Sequence, residues 1–159
     1  MSHVQPPSAL AWGVKQSFRS YVEAVGGKIE LVGSVERATD GGFVFARDGD
    51  ATLTLDPDGR PQGRAQFSGE VRFEAHGGML KVAIADPAFE FEGAAGGLTV
   101  ADPWAPGKRM TIAKLDPAAA VTEAGELVVP AVTTLDGMQL LGDHYPPGTQ
   151  LDPVRLKLG

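Results

Sequence analysis

The chain has 159 residues, no cysteine, and 20 acidic against 14 basic side chains, which gives a formal net charge of -6. This length fits one domain, and the scattered cations disfavour a nucleic-acid partner because a phosphate backbone would be repelled. Disulfides and thiolate metal sites are excluded, so the hydrophobic core has to stabilise the fold.

The first predicted element is an amphipathic helix over residues 9–25, following a flexible N-terminus at residues 1–7. Ser8 is the predicted N-cap, and Gly26 and Gly27 are predicted to end the helix with a left-handed residue. Apolar and aromatic residues recur at intervals of three and four and define one buried stripe: Leu10, Val14, Phe18, Tyr21, Val22 and Val25. We expect residues 8–159 to form a single domain.

Short alternating runs separated by glycine-rich turns follow from Lys28 onward and predict antiparallel strands. FVFARDGDATLTLDPDGR predicts a hairpin of residues 43–46 and 51–55 that is followed by a turn at residues 56–59. AQFSGEVRFEAHGGMLKVAIADP predicts a second hairpin that turns at Gly77–Gly78, and PAFEFEGAAGGLTVADP predicts a third. Five Asp-Pro pairs are predicted to stop strands because proline donates no ladder bond: those beginning at Asp56, Asp86, Asp102, Asp116 and Asp152.

Regular turns about every 8–12 residues are typical of a sandwich or a barrel. We therefore predict a mainly β fold, an antiparallel β-sandwich-like domain with one N-terminal helix packed against it. Residues 118–135 fit either a short extra helix or another strand, and alternation does not decide between them.

Tyrosine and histidine are the residues whose chemistry the pattern leaves open. Tyr21, on the predicted buried stripe, is interpreted either as a core aromatic with one hydrogen bond or as a ligand of ferric haem. A free phenol has a pKa near 10, so ligation near neutral pH needs the metal and a nearby hydrogen-bond donor such as histidine. Strand alternation places His76 opposite Phe67, Val71 and Phe73, as an exposed turn residue. His144 lies in the loop GDHYPPGT and has the same interpretation.

Four separated segments, in this order, resemble the HtaA-type haem-binding domain of haem-uptake proteins: LAWGVKQSFRSYV, GSVERATDGGFVFARDG, GEVRFEAHGGMLKVAIADPAFEF and HYPPGTQLDPVRLKL. The resemblance covers nearly the whole chain. It implies a mostly β domain with a few helices that holds one ferric haem. By the same resemblance, Tyr21 ligates the iron, His76 hydrogen-bonds to Tyr21, and Tyr145 lines the pocket.

The function predicted from this resemblance is non-enzymatic binding of ferric haem for acquisition, transfer or storage, with a haem donor or acceptor protein as a partner. Propionate contacts are left open among four cations: Lys15, Arg19, Lys28 and Arg72. A second imidazole, that of His144, is a further candidate for the pocket or the iron. The alternative is a carrier or interaction module of the same fold that binds an apolar ligand or a protein partner without iron.

The N-terminal sequence MSHVQPPSALAW lacks the basic segment and continuous apolar run of an export signal, and no stretch of about 18 apolar residues predicts membrane insertion. A cytoplasmic location is therefore expected if Met1 is the native start, although proteins of the resembling family are usually exported.

Overall fold

The computed structural model describes residues 2–3 and 6–158, with side chains from Pro6 onward, as one mainly β domain. The predicted flexible N-terminus, residues 1–7, lies partly outside the described residues, because Met1, Val4 and Gln5 are not among them. Within the described residues, the backbone of Ser2–His3 pairs with Thr54 and Leu55.

The described residues form mostly strands. The strands are β1 (Ser2–His3), β2 (Pro7–Trp12), β3 (Lys28–Val32), β4 (Val35–Arg37), β5 (Phe43–Arg47), β6 (Thr52–Leu55), β7 (Pro61–Ser68), β8 (Glu70–Ala75), β9 (Leu80–Ala85), β10 (Ala88–Glu92), β11 (Ala95–Ala101), β12 (Arg109–Leu115), β13 (Val121–Glu123), β14 (Glu126–Thr133) and β15 (Gln150–Leu158). The α-helices are α1 (Gln16–Ala24) and α2 (Leu135–Leu140), and short 3₁₀ turns cover His76–Gly78 and Pro117–Ala119.

The strands form two antiparallel sheets. In the larger sheet, the order β5-β7-β10-β11-β12-β14-β15-β2 returns to β5 and closes a barrel-like ring of eight strands. The strands β4, β6 and β13 each pair with a strand of this ring, and β1 pairs with β6. The smaller sheet has the order β3-β8-β9, in which Phe73 pairs with Ile29 on one side and Val82 on the other. The prediction of a mainly β, antiparallel domain with one N-terminal helix is confirmed.

The predicted helix over residues 9–25 is wrong in its first half. Residues 7–12 form β2, which pairs with β15 and β5, and α1 begins only at Gln16. Leu10 and Trp12 are buried at a spacing of two, as a strand requires. Ser8 does not cap the helix, because its hydroxyl bonds to Lys157 O. The predicted end is confirmed, since Gly26 follows the helix at φ +75°.

Two of the three predicted hairpins are confirmed, β8–β9 and β10–β11. The strands β5 and β6 exist where the first hairpin was predicted, but they do not pair with one another. Instead, each pairs with a different part of the long strand β7, so the predicted turn at residues 56–59 joins β6 to β7. The segment 118–135 contains β13 and β14, and the short extra helix is α2.

Four of the five Asp-Pro pairs follow the end of a strand, as predicted, but the pair at Asp152 lies inside β15. The missing amide of Pro153 is tolerated there because the register with β14 shifts between Val129 and Ala131 and the pairing with β2 begins only at Arg155.

One hydrophobic cluster fills the interior and joins the barrel to the small sheet through phenylalanine rings. The ring centroid of Phe73 on β8 lies 5.0 Å from that of Phe18 on α1 and 5.7 Å from that of Phe43 on β5, and both pairs are edge to face.

Neither helix in the described part of the chain has the length and apolar character needed to cross a bilayer.

Candidate functional site

Tyr21 and His76, which are 55 residues apart in sequence, meet at the surface of the domain. The phenol oxygen of Tyr21 lies 2.5 Å from Nε2 of His76, within hydrogen-bond distance, and the ring centroids are 5.7 Å apart. Tyr21 is in the second turn of α1, and His76 directly follows β8. The fold therefore brings together a phenol and an imidazole, a pair in which one group can polarise the other.

The expectation that Tyr21 lies on a buried stripe is wrong, because its side chain is 39% exposed. The buried residues of α1 are Phe18, Arg19 and Val22. Because the helix begins at Gln16, its buried face is shorter than the buried face of a helix that began at residue 9 would be. Tyr21 lies at the border of that face, where its hydroxyl reaches the β8–β9 turn and remains accessible.

The β8–β9 turn presents His76 through an uncommon backbone conformation. His76, Gly77 and Gly78 are consecutive left-handed residues, with φ values of +55°, +67° and +93°. Histidine rarely adopts this region, and such conformations cluster at functional sites. The single strand predicted before His76 is divided, because Phe67 lies on β7 of the larger sheet while Val71 and Phe73 lie on β8 of the smaller sheet. All three side chains are buried, as the alternation predicted. His76 is exposed as predicted, in a turn longer than the expected Gly-Gly pair.

Apolar side chains with unusual exposure flank the Tyr21–His76 pair. Val25, one helical turn beyond Tyr21, is 41% exposed, and Met79, in the turn of His76, is 90% exposed. Leu80 at the start of β9 is half-buried. Exposed apolar side chains therefore occur on the same helix as Tyr21 and in the same turn as His76.

Residues 142–149, the loop GDHYPPGT that precedes β15 and is called the closing loop below, lie beside the same elements. The half-buried ring of Tyr145 is 6.1 Å from that of Phe18, edge to face, so Tyr145 packs on the helix that carries Tyr21. His144 is exposed, and a Cβ built on Gly142 would lie 3.6 Å from His144 Cδ2 and 3.1 Å from Leu80 Cδ1. The loop therefore reaches the first residue of β9, next to the turn of His76.

The four cations considered for propionates differ in their availability. Arg19 is only 7% exposed and its Nη1 lies 2.6 Å from Asp152 Oδ2, so its guanidinium is buried and paired and is not available to bind a propionate. Lys15 donates to Gln150 O at 2.9 Å and lies 5.7 Å from the Tyr145 ring centroid. Lys15 therefore lies beside the closing loop.

Lys28 and Arg72 lie on the outer face of the small sheet. Arg72 pairs with Glu70, and the hydrogen bond to that carboxylate together with its negative charge raises the pKa of Arg72. Both cations line a separate cavity of about 420 Å³, which the exposed Trp104 also borders. The residues that line this cavity do not include Tyr21 or His76.

Asp152 is the residue of this region whose role the sequence did not reveal. Its carboxylate binds Arg19 and the start of α1, while its backbone binds Trp12 and Val14. No local sequence signal marks it, since Asp152 belongs to one of five Asp-Pro pairs, and the pair at Asp86 also lies inside a resembling segment. Among the described residues, no group of three or more His, Cys, Asp or Glu side chains could hold a metal ion.

Comparisons with known proteins give one consistent result. Residues 8–157 match the sequence profile of the HtaA family, whose description is Htaa. The C-terminal domain of HtaA from Corynebacterium glutamicum is 28% identical, with a TM-score of 0.75 and 100% coverage of each chain. The N-terminal domain of the same protein is 24% identical, with a TM-score of 0.72 and coverage of 98% of this chain and 99% of that domain.

The structure of the heme binding protein HtaB from Corynebacterium glutamicum is also similar in fold. It is 20% identical, with a TM-score of 0.70 and coverage of 98% of this chain and 93% of HtaB. No curated protein sequence matches at a significant level.

Proposed function

This chain belongs to the HtaA family, and we propose that it binds ferric haem without catalysing a reaction, with Tyr21 as the axial ligand and His76 as its hydrogen-bond partner. The single observation that carries the proposal is the 2.5 Å contact between Tyr21 Oη and His76 Nε2. Membership of the family and the fold shared with the heme binding protein HtaB support it.

The chemistry of the pair suits a phenolate ligand. A free phenol keeps its proton near neutral pH, so a protein that uses tyrosine as an iron ligand has to stabilise the deprotonated oxygen. An imidazole at hydrogen-bond distance can accept the phenolic proton and then donate an N–H bond to the phenolate. When bound, ferric haem supplies a Lewis-acidic iron that favours the same deprotonated form.

The surroundings of Tyr21 fit a large apolar macrocycle. The Tyr21–His76 hydrogen bond is exposed to solvent, and Val25 on the same helix and Met79 in the turn of His76 expose apolar surface. Tyr145 adds a half-buried aromatic ring on the adjacent loop. Covering these side chains with a porphyrin would remove apolar surface from water, which is a favourable contribution to binding.

Exposure of the ligand also favours a carrier over a catalyst. Tyr21 is 39% exposed, so another protein could approach the site without unfolding of the domain. We infer that the domain acquires, transfers or stores haem together with a donor or acceptor protein. Lys15, beside Tyr145, is the cation best placed to meet a propionate on this side of the domain.

Titration of the apo-protein with haemin, followed by absorption, tests the proposal. The wild-type protein is expected to give a saturable one-to-one complex with the charge-transfer band of a ferric phenolate. Tyr21→Phe removes only the hydroxyl and should abolish that band. His76→Ala should weaken binding by about 10–100-fold, as loss of a ligand's supporting hydrogen bond does at metal sites.

The chain contains only two tyrosines, so Tyr145→Phe is the matched control. It removes a phenolic oxygen from the neighbouring loop and should leave the phenolate band in place. An unchanged spectrum in Tyr21→Phe would refute the ligand assignment. Non-saturating binding, equal in all variants, would refute haem binding itself and favour an apolar ligand or a protein partner.

A further inference from the structure

Asp152 connects the last strand to the beginning of α1 by contacts of both its side chain and its backbone. Its Oδ1 accepts a hydrogen bond from Gln16 N at 3.0 Å, and its Oδ2 lies 2.6 Å from Arg19 Nη1. The backbone oxygen of Asp152 accepts from Trp12 Nε1 at 2.7 Å, and its amide donates to Val14 O at 2.9 Å. One residue of β15 therefore fixes the segment that leads into the helix and the first turn of the helix.

The helix has little else that fixes its first turn. It is nine residues long, and isolated helices of that length are marginal in water. Lys15 at the N-cap makes no side-chain capping bond, and the first turn, Gln16–Arg19, has no acidic residue. Asp152 supplies both missing elements from 136 residues away, a hydrogen-bond acceptor and a negative charge at the N-terminus.

Arg19 makes this connection costly to break. Of the three buried side chains of α1, two are apolar, Phe18 and Val22, and the third is Arg19. The Arg19 guanidinium also donates to Gly13 O at 2.7 Å, and a Cβ on Gly13 would lie 2.2 Å from Arg19 Nη1. Any side chain at residue 13 would therefore force the guanidinium and the Asp152 carboxylate to move. Without Asp152, a nearly buried positive charge would lose its only carboxylate partner among the described residues.

The ion pair of Asp152 and Arg19, with the bond from Gln16 N to Asp152, is called the clamp below. We propose that the clamp positions the haem ligand, because it holds α1 so that the Tyr21 hydroxyl stays within hydrogen-bond distance of His76. This inference rests on the proposed function, because the expected effect of the clamp is to slow the dissociation of haem bound at Tyr21. Tyr21 is two residues beyond Arg19, so a tilt or fraying of the first turn moves the phenol relative to the β8–β9 turn. The clamp contacts neither Tyr21 nor His76 and acts only through the helix.

The test compares wild type with Asp152→Asn, which keeps a side-chain oxygen for Gln16 N but removes the charge that Arg19 needs. Two readouts use the apo-protein: hydrogen exchange of the α1 amides, and the ¹⁵N resonance of His76 Nε2, which reports the bond to Tyr21. The third is the rate at which bound haem passes to an excess of a high-affinity acceptor protein. Thr134→Ala is the matched control, because it removes the N-cap of α2, where Thr134 Oγ1 accepts from Gly137 N at 3.0 Å.

For Asp152→Asn we expect faster exchange in α1, a shifted His76 resonance and haem loss faster by about 10-fold. Thr134→Ala should lower the melting temperature as well but leave the His76 resonance and the haem-loss rate within about 2-fold of wild type. The same His76 resonance and the same haem-loss rate in Asp152→Asn as in wild type would overturn the proposal. Equal effects in both variants would overturn it too, since general destabilisation would then explain them.

Arg19→Lys is the milder variant that decides the case if Asp152→Asn does not fold. It keeps the positive charge but cannot reach Gly13 and Asp152 with the same planar group, so smaller changes in the same direction are expected. Wild-type exchange and His76 resonance in Arg19→Lys would then refute the clamp. If the wild-type protein does not bind haem, the proposed function fails, while the two apo-protein readouts still judge whether Asp152 positions Tyr21.

Discussion

Phe18 joins three parts of the site, and its replacement by leucine should show how strongly they are held together. The ring is 1% exposed and contacts Phe73 at 5.0 Å and Tyr145 at 6.1 Å, both edge to face. Such ring pairs contribute about 0.5–1.5 kcal/mol each beyond the burial of their area. Phe18→Leu, which keeps most of the apolar volume, should therefore lower the free energy of unfolding by about 1–3 kcal/mol.

Equilibrium unfolding in urea, followed by tryptophan fluorescence and extrapolated to water, measures this change. Phe91→Leu is the matched control, because Phe91 is similarly buried at 3% exposure but has one ring contact, with Phe89 at 5.3 Å. The control should lose about 0.5–1.5 kcal/mol. A loss for Phe18→Leu that is no greater than that for Phe91→Leu would refute the idea that the Phe18 contacts tie the helix to the sheet and the closing loop.

Two further predictions concern a glycine and an exposed methionine. Gly63→Ala should destabilise the domain by several kcal/mol in thermal or urea unfolding, because Gly63 has φ +128° and a Cβ there would lie 2.2 Å from Thr52 O. Gly49→Ala is the control and should cost about 1 kcal/mol, because Gly49 has φ +82° but a Cβ there would have no atom within 4 Å. A similar loss in both variants would contradict the steric reason. Met79→Ser should leave the free energy of unfolding within about 0.5 kcal/mol of wild type, since the side chain is 90% exposed, but weaken haem binding in the same titration. Unchanged affinity would mean that Met79 does not contact the ligand.

The sequence predicted local features well and their partners poorly. The turn at residues 56–59 and the strands β5 and β6 were predicted correctly, but β5 and β6 pair with different parts of β7. Alternation shows that a strand exists and which face is buried, and it contains no information on a distant partner. The same limit explains why closure of the eight-strand ring could not be derived.

The start of α1 was missed because two periodicities coexist in one segment. Leu10, Val14 and Phe18 fit a helical stripe, while Leu10, Trp12 and Val14 fit an alternating strand, and all four are buried. The choice depends on β15, which pairs with β2 from Arg155 onward. A non-local pairing therefore overrides a plausible local pattern.

The site was reached by resemblance rather than by residue patterns. Alternation could place His76 in an exposed turn, and periodicity could place Tyr21 on a helix, but neither could show that the two lie in contact across 55 residues. Asp152 was interpreted only as a strand stop, because an ion pair across 133 residues has no local sequence signal.

The proposed function depends most directly on which atom binds the iron, and a crystal structure of the complex with ferric haem would determine that atom. We predict iron bonded to the phenolic oxygen of Tyr21, with His76 Nε2 still within hydrogen-bond distance of that oxygen. Iron bonded to His76, His144 or Met79 instead, with the Tyr21 hydroxyl directed away from it, would contradict the account.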